Sequence, residues 1–279
     1  MRDPRPLVRR VVAAMWWRSL SRAALLLIPL MAACTPGGSD NPGADSSGIA
    51  ASTVDSVVSQ AGTEPVDGEY LDEVLDNQFV QASLCGLGAS SGLAVVMVIK
   101  SMLDRPLRVQ IRDGTLLRNS GSAQNMVLRR TEFEADAETA QEIGERCAEI
   151  AQSMEEQDRV PDWRPLVSNW MTLQPDVTHT FLLSAYCLDF EKDNPGSTSS
   201  FAVEPGASGE TARLFTYLRT DSTNSGVAAI QLAVWALNGD LSAAQIRTEF
   251  AFSEADRINA CGLLDAAQLS SESRRLCAS

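Results

Sequence analysis

FVQASLCGL (79–87), GLAVVMVIKSM (92–102), PLRVQIRDGTLL (106–117) and NMVLRRTEF (125–133) are four consecutive segments rich in β-branched and apolar residues. Gly, Pro, Asn and Ser separate them, which is the pattern of short strands punctuated by turns. Within LRVQI the period is two: Leu107, Val109 and Ile111 share one face, Arg108 and Gln110 the other. Asp113-Gly114 is a turn signal. Strands this short at this spacing predict an antiparallel β-sandwich. Downstream, AETAQEIGERCAEIAQSM (137–154) has a helical composition that Gly144 weakens, and VTHTFLLSAYCLDF (177–190) returns to strand. After Pro195 the pattern becomes helical over 210–219, 227–237, 242–250 and 253–269, with Ser253 and Asp256 forming a capped start. The expected fold class is α+β, an antiparallel β-sandwich followed by a small helical lobe. No internal repeat is present.

Toward the N-terminus the chain changes purpose. Six arginines precede AALLLIPLMAA (23–33), an apolar run of 11 residues. A helix needs about 20 residues to cross hydrocarbon, so the run fits the h-region of a signal peptide. It closes on Met31-Ala32-Ala33-Cys34, which resembles a lipobox, the sequence cut before a cysteine that receives lipid. An ordinary secretory signal cut nearby and an uncleaved anchor are the alternatives. TPGGSDNPGADSSG (35–48) carries no large apolar residue and reads as a flexible tether. The expected organisation is a signal peptide over 1–33, the lipidated Cys34 and its tether over 34–65, and a domain over 66–279. That domain is mainly β-sandwich over 66–200 and mainly helical over 201–279. Such a protein is extracytoplasmic and held to a membrane by its N-terminal lipid.

The full chain has 23 Lys and Arg against 36 Asp and Glu, a net charge of −13. Removing residues 1–33 takes away six arginines and one acid, leaving 17 basic and 35 acidic residues and a net of −18. Phosphate affinity requires a basic surface, so nucleic acid is not an expected partner.

The six cysteines are Cys34, Cys85, Cys147, Cys187, Cys261 and Cys277. With Cys34 taken by lipid, five remain in a compartment that favours disulfides, and five is odd. Cys261 with Cys277 is the first expected pair and Cys85 with Cys147 the second, which leaves Cys187. Parity alone leaves other pairings open.

Two stretches carry the chemistry. SAYCLDFEKDNPG (184–196) ends an apolar strand on Cys187. AAIQLAVWAL (228–237) places Gln231 inside an apolar helix, where Val227, Ala228, Val234 and Trp235 surround it at helical spacing. A buried carboxamide must have its donors and acceptor satisfied. Tyr186-Cys187-Leu188 and Ile230-Gln231-Leu232-Ala233-Val234-Trp235 together resemble the paired signatures of bacterial thioester domains of surface adhesins. The two motifs lie 44 residues apart, closer than in the adhesins, and Ile230 stands where Thr is common. The resemblance implies that Cys187 and Gln231 form an internal thioester. Its expected partner is an amine, such as a lysine side chain on a surface protein, captured covalently once per molecule rather than turned over as by an enzyme. The contrasting reading is a non-catalytic structural or interaction lipoprotein with Gln231 as a core hydrogen-bonder and Cys187 inert.

Other constellations are weaker. His179, the single histidine, precedes Cys187 by eight positions on one expected strand, a span of roughly 25 Å. A Cys–His–Asp set of Cys187, His179 and Asp189 therefore requires the chain to fold back. One histidine and no CxxC pair exclude most zinc chemistry. Glu191, Asp193 and Asn194 could ligate calcium but read more simply as a turn. Trp163 and Trp170 could stack a sugar but read more simply as a core corner. The acidic run 134–145 is a solvated face. No cofactor and no metal are expected.

Overall fold

A computed structural model describes residues 69–157, 160–220 and 225–278. All of them belong to the second of two units of the chain, Thr63–Ser279. The expected signal peptide, the expected lipidation site Cys34 and the whole of the expected tether lie outside the described residues.

The larger sheet contains β2 (Val80–Gly86), β3 (Ser91–Ser101), β5 (Thr115–Asn119), β6 (Met126–Ala135), β9 (Thr178–Cys187) and β10 (Phe201–Gly206), with β7 (Trp163–Pro165) paired to β6. Its order is β10-β5-β6-β9-β3-β2 and its pairings are antiparallel. The strands β3 and β9 lie at its centre, and their near-continuous apolar sequences follow from burial on both faces. Val95, Met97 and Ile99 belong to the main core, while Val96 and Val98 pack with Leu182 into a second one. The sheet curls until its outer strands approach each other: Cys85 of β2 bridges Ser200, and the Gly86 N–H donates to the Ser199 carbonyl at 3.2 Å. A smaller sheet has β4 (Leu107–Gln110) between β1 (Glu69–Tyr70), which is parallel to it, and β8 (Trp170–Leu173), which is antiparallel.

Seven helices complete the described fold: α1 (Leu71–Asp76), α2 (Ala137–Ile143), α3 (Cys147–Glu156), α4 (Gly209–Thr220), α5 (Val227–Asn238), α6 (Ala243–Ile246) and α7 (Glu254–Ala266). α3 buries Cys147, Ile150, Ala151 and Met154, one stripe at helical spacing, against β2 and β3. The Cys85–Cys147 disulfide fastens it there. α5 is buried at every residue from Ala229 to Ala236, as an evenly apolar helix must be. It packs between α7 on one side and β9 and β3 on the other. The Cys261–Cys277 disulfide ties α7 to the C-terminal segment. Among the described residues no helix is long and apolar enough to cross a membrane.

The expected α+β class is borne out, with antiparallel strands first and helices predominating after β10. Three details differ. The 106–117 run divides at Asp113-Gly114, and its halves, β4 and β5, join different sheets. The 137–154 helix breaks into α2 and α3 at Gly144, where an added Cβ would lie 2.2 Å from Glu149 Oε2. The segment after Pro195 first forms β10, because it supplies the partner for β5. Both expected disulfides, Cys85–Cys147 and Cys261–Cys277, are formed, and Cys187 is the free cysteine among the described residues.

Candidate functional site

Cys187 is the last residue of β9, opposite Met126 on β6, and it is fully buried. Its N–H donates to the Ser90 carbonyl at 2.9 Å. Gln231 is on the second turn of α5 and is also fully buried. The packing of α5 on β9 brings the two together. The Cys187 N–H also donates to Gln231 Oε1 at 3.1 Å, and Gln231 Nε2 donates to the Cys187 carbonyl at 2.8 Å. The carboxamide thus reads the Cys187 backbone with both of its ends. Ordinary bond lengths then put the Gln231 carboxamide carbon within about 4.3 Å of the Cys187 nitrogen.

Burial pushes the Cys187 thiol well above its ordinary range, and the charge of Asp189 pushes it in the same direction. The neutral thiol is therefore the resting form, and any state without a sulfur charge is favoured in this surrounding.

Asp189 organises the strand end. Its Oδ2 accepts from the Asn125 N–H at 3.0 Å, from Asn125 Nδ2 at 3.0 Å and from Lys192 Nζ at 2.9 Å. The Asn125 carbonyl in turn accepts from the Leu188 N–H at 2.9 Å. One helical turn beyond Gln231, Trp235 lies edge-on between Phe190, at 5.0 Å between ring centroids, and Phe250, at 5.2 Å. This aromatic trio joins the segment after Cys187, the helix carrying Gln231 and the loop after α6.

The other candidate residues are elsewhere or bonded otherwise. β9 is continuous from Thr178 to Cys187, so His179 sits at its opposite end. His179 Nε2 accepts from the Gln174 N–H at 3.0 Å, which leaves the proton on Nδ1 to be donated to Glu134 Oε1 at 2.8 Å. The Cys187–His179–Asp189 set is therefore not assembled. Trp163 and Trp170 lie on strands of different sheets, and Arg108 covers the Trp170 ring at 5.0 Å. In the 191–196 turn Asn194 Oδ1 accepts from Gln124 Nε2 at 3.2 Å. No group of three metal-ligating side chains occurs among the described residues. Asp136, in the acidic run, accepts from the Thr139 N–H at the start of α2 and pairs with Arg164.

The roles of Ser90, Asn125, Phe190 and Phe250 were not visible in the sequence. Each acts through a contact with a distant segment, and none sits in a local pattern that marks it. Comparison of the chain with protein-family models, with curated proteins and with solved structures finds no match.

Proposed function

We propose that this protein is a lipid-anchored extracytoplasmic domain whose Cys187 and Gln231 form an internal thioester for covalent capture of amines on a surface partner. The observation that carries the reading is the pairing of the buried Gln231 carboxamide with the backbone of the free, buried Cys187.

The chemistry follows from that pairing. The Cys187 sulfur adds to the Gln231 carboxamide carbon, and the thiol proton passes to the amide nitrogen. The C–N bond then breaks, ammonia leaves, and a sulfur–acyl bond remains. The Cys187 N–H already donates to Gln231 Oε1, the oxygen on which negative charge develops, and so serves as an oxyanion-stabilising donor. The product is neutral, and in a buried site it is favoured over a thiolate and kept from water. An incoming primary amine takes the acyl group, which forms an amide to Gln231 and returns the Cys187 thiol. Each molecule reacts once.

The anchor is part of the same proposal. Acyl chains on Cys34, with the polar tether after it, would hold the domain at a membrane surface while leaving it free to reach a partner. An acidic chain of this kind suits a lysine-bearing partner and not nucleic acid.

Intact mass tests the reading. With both disulfides formed, the lipid-free mature chain is expected about 17 Da lighter than its disulfide-bonded sequence mass, from loss of ammonia, and to gain mass as an adduct with methylamine. A Cys187→Ala chain should show neither change. A full sequence mass together with a titratable thiol would leave the second reading, a structural lipoprotein. What favours that second reading is that the two hydrogen bonds to Cys187 give Gln231 a sufficient structural role.

A further inference from the structure

We infer that residues 188–200, which connect β9 to β10, form a strap gating access to the Cys187–Gln231 pair, and that Glu155 on α3 is its latch. The inference rests on reading those two residues as the reactive pair.

The strap starts at the site. Leu188 follows Cys187 and donates its N–H to the Asn125 carbonyl. Two residues on, Phe190 lies against Trp235, one turn from Gln231. From Glu191 to Asn194 the strap faces solvent, while Pro195 is buried. Its middle is pinned by the Gln124 N–H to the Asp193 carbonyl at 3.0 Å and by Gln124 Nε2 to Asn194 Oδ1. At its far end the Gly88 N–H donates to the Pro195 carbonyl at 2.8 Å. There Glu155 Oε1 also accepts from the Ser197 N–H at 2.8 Å, and Oε2 from Ser197 Oγ at 2.8 Å.

The Glu155 contact differs in kind from the other anchors at that end. It is charge-assisted and two-pronged, roughly twice as strong as a neutral hydrogen bond. It also comes from α3, a helix fixed to β2 by the Cys85–Cys147 disulfide and therefore rigid relative to the sheet. Asp189, bonded through its carboxylate to the Asn125 N–H and Nδ2, fixes the near end of the strap as its hinge. From Phe190 to Ser197 the other holds on the rest of the protein are neutral hydrogen bonds and one aromatic edge contact. Segments held this way open locally without global unfolding, and the weakest holds set how often. With Glu155 bonded, Phe190 stays seated on Trp235 and the pair stays dry. With Glu155 released, the run from Phe190 to Ser197 can lift as one piece and let a small amine reach the acyl carbon.

The test uses the full chain with both disulfides intact, as wild type, Glu155→Ala and Ser197→Ala. Hydrogen exchange is measured by mass for 188–200 and, as a fold control, for 181–185. In either variant, exchange over 188–200 should rise about tenfold with 181–185 unchanged. Methylamine uptake should quicken by a similar factor. If no variant and no wild type has lost ammonia, the thioester reading fails by itself. The gate is then read from iodoacetamide alkylation of the free Cys187 thiol, which the same variants should speed. Unchanged strap exchange in both variants overturns the inference. So does a loosened strap with no gain in either reaction at Cys187.

Discussion

Gln231 and Cys187 form the contact on which the proposed thioester depends, and its two halves can be separated by substitution. Gln231→Met keeps the length and most of the volume but leaves the buried Cys187 carbonyl without its side-chain donor. The Cys187 N–H keeps Ser90 as acceptor. Relative to Cys187→Ala, which keeps the whole carboxamide, the expected loss is about 1–2 kcal/mol, the penalty of one orphaned buried acceptor, and methylamine uptake should be lost completely. Cys187→Ala should abolish uptake as well while leaving both backbone bonds to Gln231 in place. Denaturant midpoints and intact masses of the two variants check this; a Gln231→Met protein that still consumed amine would remove Gln231 from the reaction. A pH dependence belongs to the same pair. The ordinary thiol value is 9.0 and burial raises the folded one, so above about pH 9 the unfolded chain releases a proton that the folded chain keeps. Folding stability must then fall as pH rises. In a thioester-bearing wild type Cys187 cannot ionise, so this alkaline loss should be absent there and present in Gln231→Met. Thermal melts between pH 8 and about 10.5 distinguish the two, with Cys187→Ala as the control for Tyr186, whose phenol burial also shifts upward.

At the scale of elements, the parts of the fold legible in sequence were those written in local pattern. The apolar runs of β3 and β9 marked strands, Ser253 with Asp256 marked the start of α7, and the apolar surroundings of Gln231 marked α5 as an apolar helix. Elements that exist only because a partner completes them were missed. β10 pairs with β5, and β1 and β8 exist as partners of β4; two- to six-residue stretches of this kind carry too few positions to show a period. Asp113-Gly114 was legible as a turn but not as the point where the chain leaves one sheet for another, since that depends on strands far along the sequence. Gly86 shows the same limit. It reads as a simple strand-end glycine, yet the strap backbone crosses directly over it, and an added Cβ would stand 2.1 Å from the Pro195 carbonyl oxygen. Backbone on both sides cannot yield as a flexible side chain would. Gly86→Ala should therefore displace the strap and destabilise the protein by about 2 kcal/mol or more. Gly262→Ala, where nothing lies within 4 Å of the added carbon, should be neutral or slightly stabilising because it falls within α7. Chemical denaturation of the two variants tests the contrast, and equal stabilities would mean that the strap moves aside without penalty.

Over the whole described domain, two covalent ties act on different lengths of chain. Cys85–Cys147 spans 62 residues and joins the sheet to α3, whereas Cys261–Cys277 spans 16 and closes the C-terminal end of the helical lobe. Loop-closure entropy grows only with the logarithm of the span, so the longer tie should contribute about 1 kcal/mol more than the shorter. Burial acts in the same direction. Cys85 and Cys147 are both buried in the second core, while Cys261 and Cys277 pack only at the margin of the first. Replacing the first pair by alanine therefore leaves the larger cavity. The double variant Cys85→Ala/Cys147→Ala should lose more unfolding free energy than Cys261→Ala/Cys277→Ala, by at least about 1 kcal/mol. It should also loosen α3 and with it the Glu155 contact to Ser197, so exchange over 188–200 should rise in the first double variant and stay at the wild-type level in the second. Equal losses in the two variants would mean that the chain constrained by Cys85–Cys147 is already ordered in the unfolded ensemble. A larger loss from the C-terminal pair would mean that α7, rather than the sheet, sets the stability of the domain.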